Sequence, residues 1–201
     1  AGARAFTLHA RTRTQMYTGH ARWEEIAAVV EALDVPVIGN GDIKTPADVV
    51  RMHAVTRAAG IMIGRGSYGQ PWIFDQAKDL LAGRPMRPEP NVAERFAVAL
   101  AHARMVAAYE ADPRGAAIEF RKHLGWYAKG LPSSADLRRQ LHAVSSFGEV
   151  EGIFGDYLAR LDRGEIVGAD ARADESADGA ALGGECSGDG AVEACCEDVA
   201  A

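Results

Sequence analysis

The sequence predicts an α/β protein that continues into an all-α second part. Three observations carry this. The first third repeats a strand-then-helix pattern three times, Pro85, Pro88 and Pro90 interrupt it, and beyond them apolar residues recur only at helical spacing. Successive βα units imply a parallel sheet, because parallel neighbours need a crossover connection and a helix is the usual one.

The elements follow in order. Ala5–Leu8 is a short apolar run, the first strand. Trp23, Ile26, Ala27, Val30 and Leu33 then mark one face of a helix. Val35-Pro36-Val37-Ile38 reads as a second buried strand, stopped by Gly39-Asn40-Gly41-Asp42. Thr45-Pro46 starts a helix, with Thr as N-cap and Pro at the first helical position, and that helix ends near Thr56. Gly60-Ile61-Met62-Ile63 is the third strand, closed by Gly64-Arg65-Gly66, with a short helix over Ser67-Tyr68-Gly69-Gln70 and a longer one over 71–81. Residues 1–84 thus form one domain and 85–90 a linker, since clustered prolines resist both helix and central strand.

Residues 91–164 read as a four-helix bundle. Asn91 and Glu94 are spaced as a capping pair before Val92, Phe96, Leu100, Ala103 and Val106. Asp112-Pro113 separates a second helix carrying Ile118, Leu124 and Tyr127. Ser133 or Ser134 caps a third, with Leu137, Leu141 and Val144, and the fourth carries Val150, Ile153, Phe154, Tyr157, Leu158 and Leu161. Residues 165–201 are Ala, Gly, Asp and Glu with few large apolar side chains, too little to offset ordering entropy, and are expected to be disordered.

Charge divides the same way. The chain totals −6, with 22 basic and 28 acidic residues. Ten acidic residues and one basic residue fall after Gly164, so that segment carries −9 and residues 1–164 carry +3. Cys186, Cys195 and Cys196 all lie in the acidic segment, a poor spacing for a disulfide framework or a zinc site. A cysteine-free body fits a cytoplasmic protein, no metal is expected, and no apolar run approaches the roughly 18 residues of a membrane span. The chain opens in strand-like text without an initiator Met, which reads as a fragment.

Ligands of parallel βα sheets meet the C-terminal strand ends, and in (β/α)₈ barrels a phosphate site forms from the last strand-end loops and a short extra helix. Here those ends read His9-Ala10-Arg11-Thr12-Arg13, Gly39-Asn40-Gly41-Asp42 and Gly64-Arg65-Gly66. Glycines let backbone N–H groups approach an anion, and Arg65 offers a forked cation beside it. The same glycines also suit plain tight turns. His9 is placed to meet an anionic ligand or hold a proton near neutrality, or is simply an exposed side chain. Arg11 and Arg13 read either as ligand contacts or as solvated loop charges.

Leu8-His9-Ala10-Arg11-Thr12-Arg13, Tyr17-Thr18-Gly19, Trp23, Pro36 to Ile43, Ile61 to Gly66, Pro71-Trp72-Ile73-Phe74 and Phe120 to Gly130 resemble the bacterial tRNA-dihydrouridine synthases over about residues 5–162. The resemblance implies the C-terminal part of an FMN-type TIM (β/α)₈ barrel, its last three βα units, followed by a helical tRNA-binding domain. It implies reduction of uridine to 5,6-dihydrouridine in tRNA, with NADPH reloading the flavin. His9, Asn40, Gly41, Asp42, Gly64 and Arg65 would then stand at the FMN. The family's cysteine acid has no counterpart in the matching segment, so no catalytic residue is assigned, and the isolated chain is expected to be inactive.

Between Arg114 and Arg139 lie six basic and two acidic residues, with Lys122, Trp126 and Lys129 at i, i+4 and i+7. That pattern suits phosphate contacts with base stacking, or a solvated face with Trp126 turned inward. The resemblance favours tRNA contact through Arg11, Arg13, Arg121, Lys122 and Lys129. Two other readings stand beside it: another FMN-dependent barrel oxidoreductase, dihydroorotate-dehydrogenase-like, and a non-catalytic RNA-binding remnant.

Overall fold

A computed structural model describes residues 2–15 and 18–166. In chain order the elements are β1 (Phe6–His9), α1 (Trp23–Ala32), β2 (Val37–Asn40), α2 (Pro46–Thr56), β3 (Gly60–Met62), a 3₁₀ turn (Arg65–Ser67), α3 (Ile73–Leu81), α4 (Val92–Tyr109), α5 (Pro113–Ala128), α6 (Ser134–Leu141) and α7 (Phe147–Asp162).

The strands form one parallel sheet in the order β1-β2-β3. Alternation divides its two faces. Leu8, Val37, Gly39 and Ile61 face α1 and α2, where Ile26, Val49 and Met52 are buried. A side chain at position 39 would meet the Met52 sulfur at 3.0 Å, so glycine sets how closely that helix approaches. His9, Asn40 and Met62 stand in register on the other face, which no helix among the described residues covers.

β2 lies two residues later than the sequence suggests. Pro36 has no N–H to give a ladder, although its carbonyl accepts from the Phe6 N–H at 2.9 Å. Gly39 and Asn40 stay extended because strands on both sides pair with them. The turn after β3 likewise begins at Arg65 rather than Ser67. The start signals of α2 and α4 hold, each as a full capping box: Thr45 with Asp48, and Asn91 with Glu94.

Helices α4–α7 share a second core built on Phe96, Phe120, Leu124, Leu141, Val150 and Phe154. The Phe96 and Phe154 rings stack at 3.9 Å, and burying one such ring contributes about 1.5–3 kcal/mol. Ile118, expected in this core, is 40% exposed. The buried stripe of α5 runs through Ala116, Ala117, Phe120, Leu124, Tyr127 and Ala128, and position 118 falls outside it. Ile166 is buried in the same core, after a reversal at Gly164 (φ 70°), so the packed body extends past the boundary read at 164. The rest of the acidic segment, 167–201, lies outside the described residues.

The proline-rich segment is pinned to α3. Asp79, 5% exposed, accepts from the guanidinium groups of Arg84 (2.8 Å) and Arg87 (2.7 Å), and Gln76 donates to the Arg87 carbonyl. The Arg87 and Arg84 contacts hold the Asp79 carboxyl far below its ordinary value of 3.8. A depressed carboxylate contributes stability above its unfolded pKa and loses it as pH falls toward the folded one. Asp79→Asn is therefore expected to lower the melting temperature at neutral pH and to flatten the acid loss of stability below about pH 4, read by circular dichroism against pH.

Candidate functional site

The three strands deliver His9, Asn40 and Met62 side by side at the C-terminal end of the open face. The His9 ring contacts the Asn40 carbonyl at 3.3 Å, and the Asn40 amide donates to the Met62 sulfur at 3.2 Å. Beyond β3, Gly64 and Arg65 are exposed. A side chain at 64 would meet nothing within 4 Å, so this loop edge is open. At Gly66 the opposite holds, since a Cβ there would lie 2.1 Å from the Ile43 carbonyl oxygen. The third strand-end loop therefore rests on the second.

The second loop is held from the segment between β1 and α1. Arg11 donates to both Asp42 oxygens at 2.7 and 2.8 Å and to the Gly19 carbonyl at 2.8 Å. The Ala21 N–H donates to Asp42 at 2.6 Å, and the Trp23 indole donates to the Gly41 carbonyl at 3.1 Å. Gly41 has φ 130° and sits where a Cβ would come within 2.7 Å of Ala21, and Asp42 follows in the left-handed region at φ 58°. Such a turn persists only when its surroundings over-determine it.

The residues expected to meet ligands thus separate into two groups. His9, Asn40, Gly64 and Arg65 lie together at the open strand ends. Gly41 is buried, and the Asp42 carboxylate is turned onto Arg11, so these two shape the loop from within. Arg11, expected at RNA, has a side chain only 5% exposed. Arg121, also expected at RNA, donates to the Val144 carbonyl at 2.8 Å and ties α5 to the α6–α7 connection. Arg13, Lys122 and Lys129 are exposed, and Lys129 stands one residue beyond the end of α5. A guanidinium has several donors, and at 11 and 121 acceptors inside the fold engage some of them. No spacing rule signals the Arg11–Asp42 pairing, because its partners are 31 residues apart.

Sequence reading also missed how Trp126 is covered. Its ring stacks on Tyr68 at 4.2 Å and 20°, while His123 meets its edge at 5.0 Å. Gly69, at φ 70°, lies against the Trp126 backbone, where a Cβ would come 2.4 Å from the carbonyl oxygen. Trp72 packs on the second core beneath the Arg95 guanidinium, 5.1 Å from its ring, and Arg95 donates to the Lys129 carbonyl. Burial, then the neighbouring His102 and Lys122, pushes the His123 pKa down to about 4, so the ring is neutral at physiological pH.

Removing one partner of a buried ion pair strands the other charge, at a cost of about 3–5 kcal/mol. Asp42→Ala is expected to lower the unfolding free energy by about 3 kcal/mol. Arg13→Ala, an exposed loop change, is expected to shift it by less than about 0.5 kcal/mol. Chemical denaturation of the two variants checks the difference.

Comparison with known proteins bears on the same residues. The family description "Dihydrouridine synthase (Dus)" matches residues 1–160. A probable tRNA-dihydrouridine synthase of Mycobacterium leprae is 37% identical over 162 residues, covering 80% of this chain and 41% of that protein. One from Rickettsia bellii is 40% identical over 144 residues, 72% of this chain and 44% of that protein. The tRNA-dihydrouridine synthase B of Xanthomonas axonopodis pv. citri is 38% identical over 163 residues, 81% of this chain and 49% of that protein. The chain thus spans less than half the length of these relatives. The family match takes in both the open strand ends and α5, the helix that carries Lys122 and Trp126, and on it the chain belongs to the dihydrouridine synthase family.

Proposed function

We propose that this chain is the part of a tRNA-dihydrouridine synthase that holds the phosphate end of FMN and contacts tRNA. Within it, residues 1–84 belong to the (β/α)₈ barrel and 91–164 to the RNA-binding domain. The single observation that carries the reading is the juxtaposition of an open glycine edge and Arg65 with His9 and Asn40 at aligned strand ends. An unobstructed backbone edge with a cation beside it fits a phosphate. Asn40 and His9 would hold the flavin from the neighbouring strand ends, and Arg11 and Asp42 hold the loop that follows Asn40.

FMN, when bound, would carry hydride from NADPH to the uracil ring. The residues of this chain bind and orient. Arg65 would neutralise the phosphate, and His9 would donate a hydrogen bond at its exposed ring edge. Exposed Arg13, Lys122 and Lys129 would meet tRNA phosphates. Residues 1–160 contain no cysteine, so the proton that completes uridine reduction has no cysteine donor within the matched segment. With FMN and NADPH supplied, the chain is expected to bind tRNA while leaving its uridines unreduced, as mass spectrometry of the digested RNA would report.

The phosphate assignment is tested by titrating FMN into the chain and following flavin fluorescence. Arg65→Ala should weaken binding by about tenfold or more, the loss of one charge-assisted contact. Arg57→Ala, which closes α2 at the other end of its βα unit, should not. For tRNA, Lys122→Ala should lower both affinity and salt slope, the slope by up to about one, whereas Lys78→Ala on α3 should change neither. Equal behaviour of the two lysine variants would remove α5 from the RNA surface.

A further inference from the structure

The ring that faces outward at the junction of the two cores is Tyr68, not Trp126. Tyr68 is 46% exposed although one ring face lies on Trp126. Behind it runs a continuous set of ring contacts into the second core: Trp126 to His123 at 5.0 Å, His123 to Phe120 at 5.1 Å, and Phe120 only 1% exposed. The support is rigid on the backbone side as well. The Tyr68 N–H closes the 3₁₀ turn by donating to the Arg65 carbonyl at 3.0 Å, and Gly69 presses on the Trp126 backbone. One face of the ring is thus held by the protein and the other is left open.

Exposed cations flank it on the two segments that build it. Arg65 lies three residues before Tyr68, and Lys122 lies one turn before Trp126 on α5, with Glu119 a further turn away. An open aromatic face beside cations is the arrangement by which proteins hold unpaired nucleotides, because every base offers a π-face and every linkage a phosphate.

We propose that Tyr68, backed by Trp126, is a stacking platform for an unpaired nucleobase of the RNA this surface binds. The proposal rests on the tRNA reading above and adds a contact to it. The platform begins three residues after Arg65, so the stacked base lies on the same loop as the proposed phosphate contact. Tyr68 takes no part in the reduction. It selects for single-stranded or looped RNA over duplex, whose bases have no free face to offer.

The test uses the 201-residue chain with an unmodified tRNA transcript, a short single-stranded oligoribonucleotide and its blunt duplex. Tyr68→Leu keeps an apolar cap on Trp126 but removes the π-face. Tyr68→Phe keeps the face and removes only the hydroxyl. Tyr68→Leu should weaken tRNA and single-strand binding by at least about fivefold, with the salt slope and duplex affinity unchanged, while Tyr68→Phe stays within about twofold. Melting temperature and tryptophan fluorescence report whether the junction stays packed. Wild-type affinity in Tyr68→Leu, or an equal loss in Tyr68→Phe, overturns the platform and leaves the tRNA reading standing. Loss of NADPH binding by Tyr68→Leu with tRNA affinity intact assigns the ring to a dinucleotide and likewise overturns it. Failure of the wild-type chain to bind the transcript overturns the tRNA reading and the platform together.

Discussion

The buried pairing of Arg11 with Asp42 is the contact on which the strand-end loops depend. A parallel sheet leaves its C-terminal edge as irregular backbone, whose polar groups need partners that regular structure no longer supplies. Here one terminal guanidinium nitrogen of Arg11 donates to both carboxylate oxygens of Asp42, the Ala21 N–H adds a further bond, and the Trp23 indole satisfies the adjacent Gly41 carbonyl. These bonds hold Gly41 and Asp42 in backbone conformations that L-residues avoid. With that loop set, Gly66 can settle against Ile43, and Gly64 and Arg65 are left at the open edge. Charge in this part of the protein therefore serves geometry first, and the groups left exposed inherit their positions from it.

A second constraint joins the two cores through residues 68–72. Tyr68 stacks on Trp126, Gly69 lies against the Trp126 backbone, and Trp72 packs on the second core under Arg95. The proline-rich segment that links the cores is itself fastened to α3 by Asp79. The loop that follows β3 is thus engaged on both sides, resting on the second strand-end loop and on α5. This places an open backbone edge and an aromatic surface on one short stretch of chain. That economy is available because glycine at 64, 66 and 69 answers three different demands: an open edge, a close approach and a left-handed turn.

Much of the fold was legible in the sequence because its signals are local. The Thr45-Pro46 and Asn91–Glu94 starts depend on residues no more than three apart and appear as read. Boundaries moved where pairing across strands decided them, as when Gly39 and Asn40 remained in β2. Ile118 was misread because several apolar stripes can be drawn on α5, and only the packing partners choose among them. Ile166 was assigned to the tail on composition, yet one apolar side chain after a glycine reversal was enough to reach the core.

By itself the sequence determined the order of strands and helices, the break at the prolines, the concentration of acid after Gly164 and the chemistry available at each strand end. These follow from periodicity, capping and composition, which act over a few residues. Tertiary structure alone decided which of the charged residues stay exposed. Arg11 and Arg13, two residues apart in the same motif, part company because Asp42 folds onto Arg11, whereas Arg13 is left exposed. It also decided that Tyr68, and not Trp126, presents the open ring. A side chain's role is set by what folds against it, and those partners lie 31 residues away for Arg11 and across two cores for Tyr68.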